Sequence, residues 1–171
     1  MTISFVTPRL SVVEVEVGIS LSDRSQLLAC VPTILTPAVV AALPADFHDV
    51  NTPAAAEVWL DSMLSQSRLL LVKSTSNDVI GFLFVYVTQG NFAHIGYLLA
   101  QAYWGKGLAT ELLYGFMADV GNTQPWQKLV AGVDQTNIAS AKLLKKLGFV
   151  EQMPDESSVA MFEYILPQTQ V

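Results

Sequence analysis

The sequence contains one cysteine, Cys30, which excludes an internal disulfide and any cysteine-cluster metal site. Its two histidines, His48 and His94, lie too far apart to form a local metal motif, so no metal is expected. Charge is equally scarce: Asp, Glu, Lys and Arg make up 14% of 171 residues, with a formal net charge of −6. No basic stripe is present to neutralise phosphates along a duplex, and nucleic-acid binding is disfavoured as the main activity. The acidic balance gives at most a modest pull on cationic substrates such as amines. No segment approaches the ~18 apolar residues of a membrane span. The longest apolar stretches, such as Phe82 to Val87, have strand length. Met1 to Phe5 lacks the basic flank and long apolar centre of a secretory signal. A cytoplasmic protein with no membrane partner is expected.

What is abundant is apolar surface. Hydrophobic residues supply 51% of the chain, which argues against disorder, and the length suits one domain, residues 1–171, with a substantial core. Apolar content this high implies that some of it is covered by a partner subunit or used in a cleft, and a homodimer is an open expectation.

Periodicity gives the order of elements. Strict alternation from Val13 to Val17 reads as a half-buried strand. The next stretch is helical and loop-like. Thr36-Pro37 and Thr52-Pro53 each resemble a helix cap with proline at the first helical position, and the second opens a helix from about Pro53 to Ser65. Strands are expected over Arg68–Lys73, Val79–Val87 and Phe92–Leu99, the last two joined by a hairpin at Thr88-Gln89-Gly90. After a glycine-rich turn, Ala109, Leu112, Leu113, Phe116, Met117 and Val120 recur as one helical stripe. A short strand at Leu129–Val133 follows, then a helix at Asn137–Leu147 stopped by Gly148. Strands at Phe149-Val150 and Val159–Leu166 complete a mixed α/β layer structure.

The informative segment is Gln101-Ala102-Tyr103-Trp104-Gly105-Lys106-Gly107-Leu108-Ala109-Thr110, between a strand and a helix. Glycines at i and i+2 permit a sharp turn that aims successive N–H groups outward. The following helix adds its unsatisfied N–H groups and the positive end of its dipole. Together these form a seat for a diphosphate, with the positive charge of Lys106 beside it. Threonine at position 110 excludes the dinucleotide pattern G-x-G-x-x-G, and the spacing is not that of a P-loop. Alone, Gly-Lys-Gly also reads as an ordinary strand-to-helix turn. A second segment changes the balance: Asn137-Ile138-Ala139-Ser140 opens an apolar helix that ends in Leu147-Gly148-Phe149. Alone, it reads as an amphipathic surface helix. Its occurrence one strand after the glycine turn argues for a shared site.

With these two segments the chain resembles the GNAT acetyltransferase superfamily, whose pattern Q/R-x-x-G-x-G/A is followed by N-x-x-A/S and G-F. The resemblance is nearest to the ribosomal-protein N-terminal (Rim-type) branch, through Thr7-Pro8-Arg9-Leu10, His94-Ile95-Gly96-Tyr97 and Tyr103-Trp104-Gly105-Lys106-Gly107-Leu108-Ala109-Thr110-Glu111. It is specific from about Ile80 to Phe149, whereas residues 18–66, which shape the acceptor pocket in this family, match poorly. The resemblance implies a GNAT fold, a central, mostly antiparallel mixed sheet with helices on both faces. It implies acetyl-CoA as co-substrate, with no metal. The diphosphate would be held by N–H groups of Gly105, Lys106, Gly107, Leu108 and Ala109, flanked by Trp104 and Thr110. Leu98 and Leu99 would splay from the neighbouring strand and pair with the pantetheine amides. Asn137 would bond to the pantetheine arm, with Ser140 near the sulfur.

Two positions depart from the pattern. Trp104 stands where many relatives carry glutamine or arginine, and Leu144 where many carry the tyrosine that protonates the leaving thiolate. Ser140 is the candidate replacement acid. His94 occupies the strand position where relatives often carry a glutamate base. Imidazole can accept a proton at neutral pH, but a half-buried structural histidine fits equally. Asp134 either orients the acceptor amine or caps its turn. Glu111 reads as structural, and Phe47, Trp59 and Met63 as core or pocket wall. The expected activity is acetyl transfer to a primary amine, foremost a protein N-terminal α-amine. A small-molecule amine (polyamine, aminoglycoside or amino-acid derivative) and a non-catalytic acyl-CoA-binding module remain the alternatives.

Overall fold

A computed structural model describes residues 1–16 and 18–168. Val17, the end of the expected alternation, lies outside them. Eight strands, β1 (Ser4–Val6), β2 (Ser11–Glu14), β3 (Arg68–Lys73), β4 (Val79–Thr88), β5 (Phe92–Leu99), β6 (Lys128–Asp134), β7 (Val150–Glu151) and β8 (Val159–Ile165), form one sheet. Its order is β1-β2-β3-β4-β5-β6-β8-β7. Every neighbouring pair is antiparallel except β5 and β6, which run parallel. The helices are α1 (Leu21–Ile34), α2 (Pro37–Val40), α3 (Pro53–Gln66), α4 (Leu108–Thr123) and α5 (Ile138–Lys146). A 3-10 turn at Ala45–Phe47 joins α2 to α3 and another at Gln101–Tyr103 precedes α4.

The apolar run of β3 is buried on both sides because the sheet is covered on both sides. Leu70 and Val72 face the core formed with α4 and α5, while Leu69 and Leu71 face α1, α2 and α3. On the first side the α4 stripe of Leu112, Leu113, Phe116 and Val120 is fully buried. Removing one such side chain costs about 3–5 kcal/mol for a phenylalanine. On the second side Trp59 packs against Phe82 and Phe84, with ring centroids 5.2 and 6.1 Å away. Gly148, at φ +98°, stops α5, and Phe149 N–H returns to the Leu144 carbonyl at 3.0 Å.

Two elements differ from expectation. The strand expected from Val13 is β2, Ser11–Glu14, and β1 ahead of it was not expected, because it has three residues and little buried surface to mark it. The segment read only as helical and loop-like contains the well-formed α1, capped by Ser20, whose hydroxyl accepts from Asp23 N–H at 3.1 Å. Pro32 obscured it, since a proline so near the helix end removes only one late bond.

Candidate active site

The site lies where β5 and β6 part. Their parallel pairing runs from Phe92/Lys128 to Ile95/Ala131 and stops, although β5 continues to Leu99 and β6 to Asp134. Each strand stays bonded to its outer neighbour, β4 or β8, so a gap opens between Gly96–Leu99 and Gly132–Asp134. Ala100 N–H bonds to the Ile80 carbonyl at 2.7 Å, which fixes the phase of the backbone. By alternation, Leu98 and Gly96 direct their amides to β4, while Tyr97 and Leu99 direct theirs into the gap. The free strand edge thus belongs to Tyr97 and Leu99; Leu98 contributes its side chain to the walls instead.

Trp104 explains one departure from the expected pattern. Its indole N–H donates to the Leu99 carbonyl at 2.8 Å, replacing a sheet partner at the gap. Beyond it, Gly105 and Gly107 adopt left-handed backbone, φ +69° and +75°. Among the helices longer than one turn, α1, α3 and α5 carry side-chain caps from Ser20, Thr52 and Asn137. Helix α4 starts on Gly107 without a side-chain cap. The N–H groups of Gly105 through Thr110 consequently have no acceptor among the described residues. Such an uncapped helix N-terminus, open to solvent, can seat an anion. Arg9 braces the loop from behind, donating to the Lys106 carbonyl at 2.8 Å and pairing with Glu111 at 3.2 Å.

A cavity of about 530 Å³ runs from this seat to the gap. Trp104, Gly105, Gly107, Leu108, Ala109 and Thr110 line one end, and Leu98, Leu99, Asn137 and Ser140 line the other. Lys106 is not part of the wall: its ammonium lies 5.5 Å from the Tyr103 ring centroid. Asn137 Oδ1 accepts from Ser140 N–H at 3.2 Å, capping α5 and leaving the amide nitrogen free among the described residues. Leu144 is fully buried beneath the site.

A second cavity of about 660 Å³ lies on the α1–α3 side of the gap and shares Leu43, Tyr97 and Leu98 with the first. His94 lines it, its ring stacked on Tyr86 at 4.6 Å and its Nε2 3.5 Å from the Thr88 hydroxyl. Burial, with some help from Lys128, holds its pKa below the ordinary 6.5 although Glu163 opposes this. Phe47 and Met63 form cavity wall, whereas Trp59 lies behind them in the core. Asp134 caps its turn, accepting from the N–H and hydroxyl of Thr136 at 2.9 and 2.6 Å.

Between the cavities stands a group that sequence reasoning passed over. The Tyr97 hydroxyl hydrogen-bonds to Ser140 Oγ, and burial raises its pKa, only partly offset by that bond. The signal was present: Tyr97 closes the His94-Ile95-Gly96-Tyr97 motif, and alternation places it on the face opposite His94, toward α5. An uncapped helix end with left-handed glycines, a gap beside a free strand edge and a cavity joining them suit a long ligand with a diphosphate and an amide arm.

A family profile described as an acetyltransferase (GNAT) domain matches residues 17–150. The chain belongs to the GNAT acetyltransferase family. Acetyl-CoA is the acetyl donor of this family and an amine the acceptor, and the expected fold is the one observed. Solved structures that share this fold include three acetyltransferases. One is a ribosomal L7/L12 α-N-protein acetyltransferase in complex with coenzyme A, with TM-score 0.75, 15% identity and 94% of this chain covering 96% of that one. Another is a ribosomal-protein-S5-alanine acetyltransferase from Vibrio fischeri, with TM-score 0.74, 19% identity and coverage of 96% and 97%. A spermidine N-acetyltransferase from Vibrio cholerae has TM-score 0.70, 14% identity and coverage of 94% and 95%. No curated protein matches the sequence. Among the described residues no helix is long and apolar enough to cross a membrane.

Proposed function

We propose that this GNAT enzyme acetylates the α-amine at a protein N-terminus. The observation that carries the reading is the poverty of the second cavity in strong bases and acids. Asp46 is the one carboxylate among its lining residues, and His94 the one side chain there that can take a proton near neutral pH. An α-amine with pKa near ~8 costs roughly 1.4 kcal/mol to deprotonate at pH 7, whereas an alkylamine near ~10.4 costs roughly 4.6. A weak base suits the first. A polyamine would need several carboxylates for its further charges, and the cavity lacks them. Two of the structural neighbours are themselves named as ribosomal-protein acetyltransferases.

Acetyl-CoA brings an activated thioester: a C–N bond to the amine forms, the C–S bond breaks and the sulfur gains a proton. The chain's residues then divide the work. Main-chain N–H groups from Gly105 to Thr110 hold the diphosphate, and the Leu99 amide with Asn137 holds the arm. The Tyr97 N–H, deeper in the gap, polarises the acetyl carbonyl, as oxyanion donors do. His94, three residues or about 10 Å along β5 from Tyr97, takes the amine's proton through water. Tyr97, kept protonated by its raised pKa and oriented by Ser140, donates to the departing sulfur. It fills the role left vacant at Leu144.

Thiol release from acetyl-CoA tests this across unblocked peptides, N-terminally blocked lysine peptides, spermidine and an aminoglycoside. Release is expected with the unblocked peptides. Release confined to spermidine or to lysine side chains would contradict it.

A further inference from the structure

We propose that the second cavity receives the first side chain of the acceptor and selects a large, uncharged apolar one; this rests on the peptide-amine reading above. The walls are Phe47, Met63, Phe84, Val130 and Met161. They are held firmly: Phe47 meets Phe84 edge-on at 5.4 Å and Trp59 at 6.0 Å. On β5, His94 and Leu98 point to this side with Gly96 between them, and the missing side chain opens the floor next to the gap. A Cβ there would stand 3.7 Å from the Phe84 ring, and anything longer would enter the cavity.

Polar lining offers little to a polar occupant. Gln66 directs its amide hydrogen back to Ser62 Oγ at 3.0 Å, and Ser67 its hydroxyl to the Met63 carbonyl at 2.9 Å. No lysine or arginine lies among the lining residues, so a carboxylate would be left without a cation. That disfavours an acidic first residue and a free amino acid alike. A basic side chain would trade water for aromatic and thioether walls with one carboxylate, Asp46, in reach. Alanine or serine would leave most of about 660 Å³ unfilled. Phenylalanine, leucine or methionine would cover the walls, a difference of several methylenes and thus of roughly 10-fold or more in specificity.

The test is a peptide set differing only at the first residue: Phe, Leu, Met, Ala, Ser, Lys and Asp, with phenethylamine as a non-peptide arm. The expected result is kcat/KM for the first three at least about 10-fold above the rest. Calorimetry on the CoA-saturated protein should show the Phe peptide binding tighter than the Ser peptide by a similar factor. Gly96→Val should shrink that difference below about threefold while CoA affinity is kept. Met161→Glu, on another strand, should lower binding of the Phe peptide and raise that of the Lys peptide. Preference for Ala, Ser, Lys or Asp peptides would overturn the inference and leave the peptide reading intact. Turnover of phenethylamine but of no peptide would overturn the peptide reading and keep the apolar selection.

Discussion

Gly105→Ala separates an anion seat from an ordinary turn. The residue sits at φ +69°, and a Cβ built there meets nothing within 4 Å. The substitution therefore adds no clash. Its cost is the left-handed backbone, about 1–2 kcal/mol for a residue with a side chain. The loop has no packed neighbour at this point, so the free variant can relax out of the left-handed region. The strain is then charged to ligand binding, where it corresponds to about 5- to 30-fold weaker affinity for CoA. Thermal stability should fall by no more than roughly 2–8 °C. Gly121→Ala is the control. It too meets open space, but inside α4, where alanine is favoured by about 1 kcal/mol. Calorimetric titration with CoA and a thermal melt read both variants. An unchanged dissociation constant together with a clear loss of melting temperature in Gly105→Ala would refute the reasoning, because the glycine would then serve only the turn.

Three further substitutions address the chemistry and the scaffold. Tyr97→Phe should lower kcat by about 100-fold or more and leave KM for acetyl-CoA little changed; stopped-flow thiol release reads both, and an unchanged kcat removes the phenol from the reaction. His94→Ala should lower kcat/KM by about 10-fold or more and alter its pH profile. Since the imidazole titrates below 6.5, the wild-type profile should steepen below that value, where base and amine are both protonated, and the variant should keep only the amine's slope. Identical profiles would leave His94 a structural partner of Tyr86. Glu14→Gln tests the scaffold. Burial raises the Glu14 pKa, but Arg68, in a two-point contact at 2.7 and 2.8 Å, and Ile3 N–H outweigh it and hold the carboxyl below its ordinary 4.5. The stabilisation is thus present above that value and lost as pH falls through the folded-state pKa. The variant should lose about 1.5–3 kcal/mol near neutral pH. Urea melts should show the difference shrinking below pH 4.5, and a gap constant down to strong acid would contradict the assignment.

Local signals carried most of the fold. The α4 stripe and the β3 to β5 runs need only the chain's own periodicity; the three strands stand within a residue of their expected bounds, and α4 carries the whole stripe and continues to Thr123. β1 escaped because three residues with two exposed carry no pattern, and α1 because Pro32 reads as a breaker. In the site, the glycine turn and Asn137-Ser140 were legible since spacing and turn chemistry are encoded side by side. The placement of the Lys106 side chain was not legible: its ammonium lies over the Tyr103 ring and its carbonyl accepts from Arg9, 97 positions away, while its N–H stays in the open turn. Two features depend on distant packing: the Tyr97–Ser140 bond spans 43 positions, and the second cavity draws walls from residues 43 to 67 and from Met161 on β8. No local window contains them.

A crystal structure of the protein with acetyl-CoA bears most directly on the whole account. The pyrophosphate should lie within hydrogen-bond reach of the main chain between Gly105 and Thr110, with the pantetheine arm bonded to the Leu99 backbone, the acetyl carbonyl facing the Tyr97 N–H and the sulfur facing the Tyr97 hydroxyl. Density that leaves those amides to solvent, or an arm that runs elsewhere than between β5 and β6, would contradict it.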